Sequence, residues 1–123
     1  MGEHRPRKKS VLAPVNGEAP PYPHNVGKRR KITSIDGKHR YVINEGEIVR
    51  PQSGSSHKKL IYLQRLRHET DDRIEYRFTY YMLSPKKGKM FNRWVFGQYS
   101  LMIPAKELRF LLKKARAAGW DGF

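Results

Sequence analysis

Between residues 74 and 82 the chain reads Ile74-Glu75-Tyr76-Arg77-Phe78-Thr79-Tyr80-Tyr81-Met82. Ile74, Tyr76, Phe78, Tyr80 and Met82 share one parity, while Glu75, Arg77, Thr79 and Tyr81 share the other. Successive side chains of a strand point to opposite faces of its sheet, so this pattern predicts a β-strand with one core face and one wet face.

The neighbours on both sides fit a small antiparallel sheet. Upstream, the run from Lys59 to His68 contains Leu60-Ile61-Tyr62-Leu63-Gln64-Arg65-Leu66-Arg67, a second strand, and ends in the turn-forming Glu69-Thr70-Asp71-Asp72. Downstream, Ser84-Pro85-Lys86-Lys87-Gly88-Lys89 makes a basic turn, and Phe91 to Ile103 reads as a third strand with a bend or bulge at Gly97. Pro104 suits the first position of a helix, and Leu108, Leu111, Leu112, Ala115 and Ala118 recur at helical spacing. Gly119 stands where a left-handed cap belongs, so the helix is expected over Pro104 to Ala118, with Trp120 folding back onto its last turn.

The first half is weaker. Asp36-Gly37 between Ile32-Thr33-Ser34-Ile35 and Lys38-His39-Arg40-Tyr41-Val42-Ile43 predicts a hairpin with a type I′ turn, and Glu47-Ile48-Val49-Arg50 reads as a further short strand. Residues 1–26 hold five of the eight prolines and little periodicity, as expected of a disordered basic arm. The fold class is therefore α+β: a small antiparallel β-sheet with a carboxy-terminal helix on one face, preceded by a hairpin segment (27–50), a linker (51–58) and the arm, with the main sheet and helix in 59–123.

The 123 residues include 26 Lys and Arg against 11 Asp and Glu, a formal charge of +15. An excess this large repels itself in a compact chain and is best tolerated beside a polyanion, which makes nucleic acid the expected partner. The aromatics support a core in the second half, since twelve of the fourteen fall after residue 60. The absence of cysteine excludes disulfides, thiolate zinc sites and cysteine nucleophiles. No run is long and apolar enough for a membrane span, and no signal-peptide core follows the basic start, so an intracellular protein, in cytoplasm and nucleoid or in the nucleus, is expected.

The residues best suited to nucleic acid are Arg65, Arg67, Arg77, Tyr81, Lys86, Lys87, Lys89, Arg93 and Trp94. Strand-borne rings between cations suit single strands, whose bases stack on the rings while Lys and Arg follow the phosphates. Set against this, strand aromatics commonly serve the core, and a lysine-rich turn is commonly just solvated. On the helix, Arg109, Lys113, Lys114 and Arg116 lie where the backbone dipole already favours cations.

The acidic stretch His68, Glu69, Asp71, Asp72 and Glu75 is the one place a metal-dependent nuclease centre could form, although turns use Asp and Glu for backbone reasons. The five histidines show no metal-ligand spacing, and there is no nucleophile elbow, Walker loop or dinucleotide-binding glycine motif.

In Tyr76-Arg77-Phe78-Thr79-Tyr80-Tyr81, the turn with Lys86, Lys87 and Gly88, and Gly97-Gln98-Tyr99-Ser100-Leu101 leading through Pro104 to Leu108 and Leu111, the second half resembles the positive-cofactor-four type of coactivator. The resemblance spans about residues 60–118. It implies an antiparallel sheet that binds single-stranded DNA through Arg77, Lys86, Lys87 and Lys89, and a helix that supports a homodimer. Met90-Phe91-Asn92-Arg93-Trp94-Val95-Phe96 departs from the family's shorter, more basic segment, and the hairpin has no counterpart there.

The sequence thus points to a non-catalytic protein that binds single-stranded DNA or RNA, with no cofactor, small-molecule substrate or membrane. A structural or adaptor subunit of a nucleoprotein complex is the alternative, and a metal-dependent nuclease the second.

Overall fold

The computed structural model describes residues 11–12, 22–52, 58–84, 93–97 and 100–123. Among these residues six strands form one sheet: β1 (Val11–Leu12), β2 (Arg29–Thr33), β3 (His39–Pro51), β4 (Lys59–His68), β5 (Ile74–Leu83) and β6 (Trp94–Phe96). One helix follows, α1 (Ala105–Ala117). The order across the sheet is β1, β3, β4, β5, β6, with β2 beside the first part of β3. Strands β2 to β6 pair antiparallel, and the two residues of β1 pair parallel with Ile48 and Val49. This is the expected α+β architecture, an antiparallel sheet with a carboxy-terminal helix.

Strand β3 joins the two halves of the chain. The stretch 39–51, which reads in the sequence as a hairpin arm followed by a separate short strand, is one strand interrupted by a bulge between Asn44 and Gly46. Its partner β4 pairs with it from Val42↔His68 to Pro51↔Leu60, so the segment 51–58 connects two adjacent strands of a single sheet. The hairpin turn also differs from the expected type I′. Only Gly37 has positive φ (84°); its N–H donates to Ser34 O (2.9 Å), and Ser34 N–H donates to Lys38 O (2.8 Å). Together these bonds make a three-residue loop with a glycine bulge, which spares Asp36 the left-handed conformation. The Asp36 carboxylate instead accepts the Lys38 N–H at 3.0 Å.

Helix α1 starts at Pro104, one residue before the first helical position, and ends in a Schellman motif. Gly119 (φ 76°) donates to Arg116 O and Trp120 N–H to Ala115 O. That turn drops Trp120 onto the sheet, where it joins Tyr76, Leu101, Ile103, Phe110 and Phe123 around a core of Ile48, Ile61, Leu63, Leu111 and Ala115.

A second core fills the opposite face, with Val49, Leu60, Tyr62 and Tyr81 covered by Tyr22 and Trp94. Residues 22–26, which the sequence assigns to the arm, help to build it: Asn25 and Val26 are buried, and Pro23 O accepts the Tyr62 hydroxyl at 2.7 Å. Leu60, Ile61, Tyr62 and Leu63 are consequently buried whichever way they point, each of the aliphatic ones contributing about 1.5–3 kcal/mol.

Two expectations are corrected by this double burial. Strand β5 has no wet face at Thr79 and Tyr81, which are buried, whereas Phe78 and Met82 on the face assigned to the core are 38 % and 46 % exposed. Helix α1 packs over β3 and does not reach across to β5 at those positions. The third strand, expected over 91–103, ends at Phe96, and 91–92 and 98–99 lie outside the described residues. Pairing in β6 spans Trp94–Phe96, while Leu101 and Ile103 leave the sheet to pack under the helix. Gly97 closes the pairing, with the Tyr80 ring occupying the place of its missing β-carbon.

Candidate nucleic-acid interface

The register divides the arginines of the second half between the two faces. Arg65 and Arg67 alternate with Ile61 and Leu63 on the helix side, and the bulge between Asn44 and Gly46 brings Glu45 to them. Glu45 Oε1 accepts from Arg65 Nη1 at 2.5 Å and Oε2 from Arg67 Nε at 2.7 Å, while Arg67 Nη1 also reaches Asp72 at 3.0 Å. These bonds hold the Arg67 guanidinium above its ordinary pKa. Both cations are therefore already neutralised by carboxylates.

The acidic turn is committed in the same way. Glu69 accepts two bonds from Arg29, which lowers its pKa, and Asp71 lies 3.5 Å from Arg73. Glu75 meets His68 Nε2 at 2.6 Å, and that hydrogen bond, helped by Arg73, lowers its pKa. Among the described residues no group of three or more His, Asp or Glu converges as a metal site.

Arg77 lies on the opposite face. Its Nε donates to Gln64 Oε1 at 3.0 Å, and its guanidinium carbon sits 5.7 Å from the Phe96 ring centre. Burial pushes its pKa down, and the neighbouring Arg30 guanidinium pushes it further. Glu47 attracts Arg77, and its carboxylate accepts from several neutral donors. Oε1 accepts from Gln64 Nε2 (2.7 Å), Asn25 Nδ2 (3.0 Å) and Asn44 Nδ2 (3.2 Å), and Oε2 accepts from the Asn25 N–H (3.0 Å). Arg30 Nη2 donates to Asn25 Oδ1 at 2.6 Å. Two guanidiniums are thus held near each other by amides, and neither forms an ion pair with a carboxylate among the described residues.

Ring surface adjoins this pair at β6. Phe96 is 42 % exposed, Trp94 is half-buried against the second core, and Arg93 is exposed at the start of the strand. Tyr81, expected as a stacking platform, is 8 % exposed. Its ring packs between Tyr62 and Phe96, its hydroxyl accepts from Asn25 Nδ2 at 3.3 Å, and no face is left for a base. Lys86, Lys87 and Lys89 lie outside the described residues.

Of the nine residues chosen from the sequence, the structure places Arg77 and Trp94 on one face, with Trp94 six residues further along β5 in the register, Arg93 beyond it at the start of β6, and Arg65 and Arg67 on the far face. Arg30, Asn25, Glu47 and Phe96 were missed. A signal existed for Glu47, an acid at the inward parity of Val49 in a strand otherwise apolar there. None existed for Asn25, whose place depends on a long-range contact.

Other cations occupy the outward side of α1, where Lys106, Arg109, Lys113 and Arg116 are exposed. A groove of about 340 Å³ opens between Leu112, Lys113, Arg116, Gly122 and Phe123. Among the described residues no helix is long and apolar enough to cross a membrane. No protein-family model, no curated protein and no solved structure matches the chain.

Proposed function

We propose that the protein is a non-catalytic nucleic-acid-binding protein that takes single-stranded DNA or RNA across the face bearing Arg30, Arg77 and Phe96. The observation that carries this reading is the guanidinium pair. Two arginines held near each other, neither ion-paired with a carboxylate among the described residues and one with its pKa lowered by burial and by the other, gain most from an anion that bridges them. A phosphate fits that need by charge and by its match to the guanidinium fork. Phe96 and Trp94 then offer ring surface to the adjacent base, and Arg93 with Lys86, Lys87 and Lys89 continues the cationic track in sequence. The reading places the protein inside the cell, with the nucleic acid it binds.

Fluorescence polarisation with labelled single-stranded DNA, single-stranded RNA and duplex DNA over a salt series tests it. Wild type should bind a single strand with a steep salt slope, and Arg30→Ala and Arg77→Ala should each weaken binding about tenfold and flatten the slope by about one unit. Unchanged affinity in folded variants removes this site.

A second reading, an adaptor within a nucleoprotein complex, draws on Phe78 and Met82, which are exposed on the helix-side face of β5. A protein partner would cover them while the cationic face stayed on nucleic acid.

A further inference from the structure

The β2–β3 hairpin runs beyond the sheet. Pairing of β3 with β4 stops at Val42↔His68, whereas pairing with β2 continues through Tyr41, Arg40 and His39 to the turn. The last part of the hairpin is therefore a two-stranded ribbon, exposed along nearly all of 31–41.

Its charge is one-sided. Lys31, Lys38 and Arg40 lie on the ribbon and Lys28 and Arg30 at its base; its one acid, Asp36, is turned onto the Lys38 N–H. Glu69 beside it is already bound to Arg29, and Glu75, whose pKa Arg40 helps to lower, meets His68. The tip is apolar: Ile35 is fully exposed at the first central position of the turn. Cross-turn bonds between Ser34, Gly37 and Lys38, with Thr33 Oγ1 and His39 Nδ1 2.9 Å apart, fix the loop that presents it. A branched aliphatic side chain held wholly in water on a braced turn gains nothing from the fold.

We infer that this ribbon is a second contact, to duplex DNA, entering the major groove end-on with Ile35 against thymine methyl groups and the flanking Lys31, Lys38 and Arg40 on the phosphates of both walls. The major groove of B-form DNA admits a two-stranded ribbon, and it is the groove that displays the thymine methyl. The deep, narrow major groove of A-form RNA excludes side chains and its uracil lacks the methyl, which separates DNA from RNA. The inference rests on the nucleic-acid reading but uses the projecting end of the hairpin, where Lys38 and Arg40 share the face of Arg30 and lie beyond it.

Binding of the full chain to three probes tests it: an A·T-rich DNA duplex, the same duplex with deoxyuridine for thymidine, and a single-stranded DNA of equal length. Lys38→Glu/Arg40→Glu should weaken duplex binding at least tenfold and flatten its salt slope by about two units, with single-strand affinity within about threefold of wild type. Wild type should lose about fivefold on the deoxyuridine duplex, and Ile35→Ser, an exposed change that leaves the fold intact, should bind both duplexes equally and weakly. Ribbon variants that bind duplex like wild type, or that lose duplex and single strand alike, overturn the inference while leaving the Arg30–Arg77 reading standing. Equal wild-type binding to the thymidine and deoxyuridine duplexes overturns the role of Ile35. A wild type that binds no nucleic acid overturns both readings together.

Discussion

Trp120 takes the space that a side chain at Gly46 would need: its Cζ2 lies 2.8 Å from where a β-carbon on that glycine would stand. The indole cannot swing aside freely, because Tyr76 stacks on it at 5.7 Å and Phe123 meets it at 6.5 Å. The Schellman turn after α1 and the bulge in β3 are therefore matched across the core. Gly46→Ala should destabilise the protein by about 1–3 kcal/mol, as overpacking does. Chemical denaturation gives the loss, and a change in native Trp fluorescence locates it.

Glu47 should behave as the keystone of the second face. Glu47→Leu removes the acceptor for the Asn25, Asn44 and Gln64 amides, which lie buried with it. Each orphaned buried donor costs about 1–3 kcal/mol, so the total should be at least about 3 kcal/mol by urea titration. The same variant should also loosen Arg30, whose partner Asn25 it releases.

Alkaline pH should weaken the fold through Tyr62. Burial, with Glu47 adding to it, drives the pKa of this phenol far above its ordinary value of 10.0, and its hydroxyl is bonded to Pro23 O. The group stays neutral in the folded state but ionises in the unfolded one, so its contribution is whole below pH 10 and falls as pH rises above that value. The fall amounts to about 1.4 kcal/mol per pH unit for one such group. Tyr62→Phe should cost about 1 kcal/mol at neutral pH and reduce the alkaline slope. Thermal melts from pH 8 to 11 separate the two effects.

Arginines already held by carboxylates should matter little for nucleic acid. Arg67→Ala removes a cation bound by Glu45 and Asp72, and it should leave single-strand affinity within about twofold of wild type. The stability cost should be small, as for solvent-screened ion pairs. Paired binding and denaturation curves beside those of Arg77→Ala check the contrast.

Local pattern carried the second half of the fold into the sequence. The limits of β4 and of α1, the glycine that ends the helix and the return of Trp120 all follow from apolar spacing, Pro104 and Gly119. Strand β3 was less legible because Asn44-Glu45-Gly46 looks like a break, and only the Trp120 ring packed over Gly46 shows why a bulge belongs there. The alternation in β5 was real, but alternation alone does not say how much of each face a helix or loop will cover. The site suffered from the same gap. Arg65 and Arg67 were chosen for charge, and their capture by Glu45 is visible only once the register is known.

Strand β6 gives the sheet an outer border only three residues long, Trp94 to Phe96, with Arg93 before it and Gly97 after. An open border is the place where a copy of the chain could add its own strand and begin a continuous sheet between molecules. So brief a stretch offers few backbone bonds to such a visitor, and the adjoining arginine repels its like. Growth of the sheet from molecule to molecule is thereby discouraged at β6.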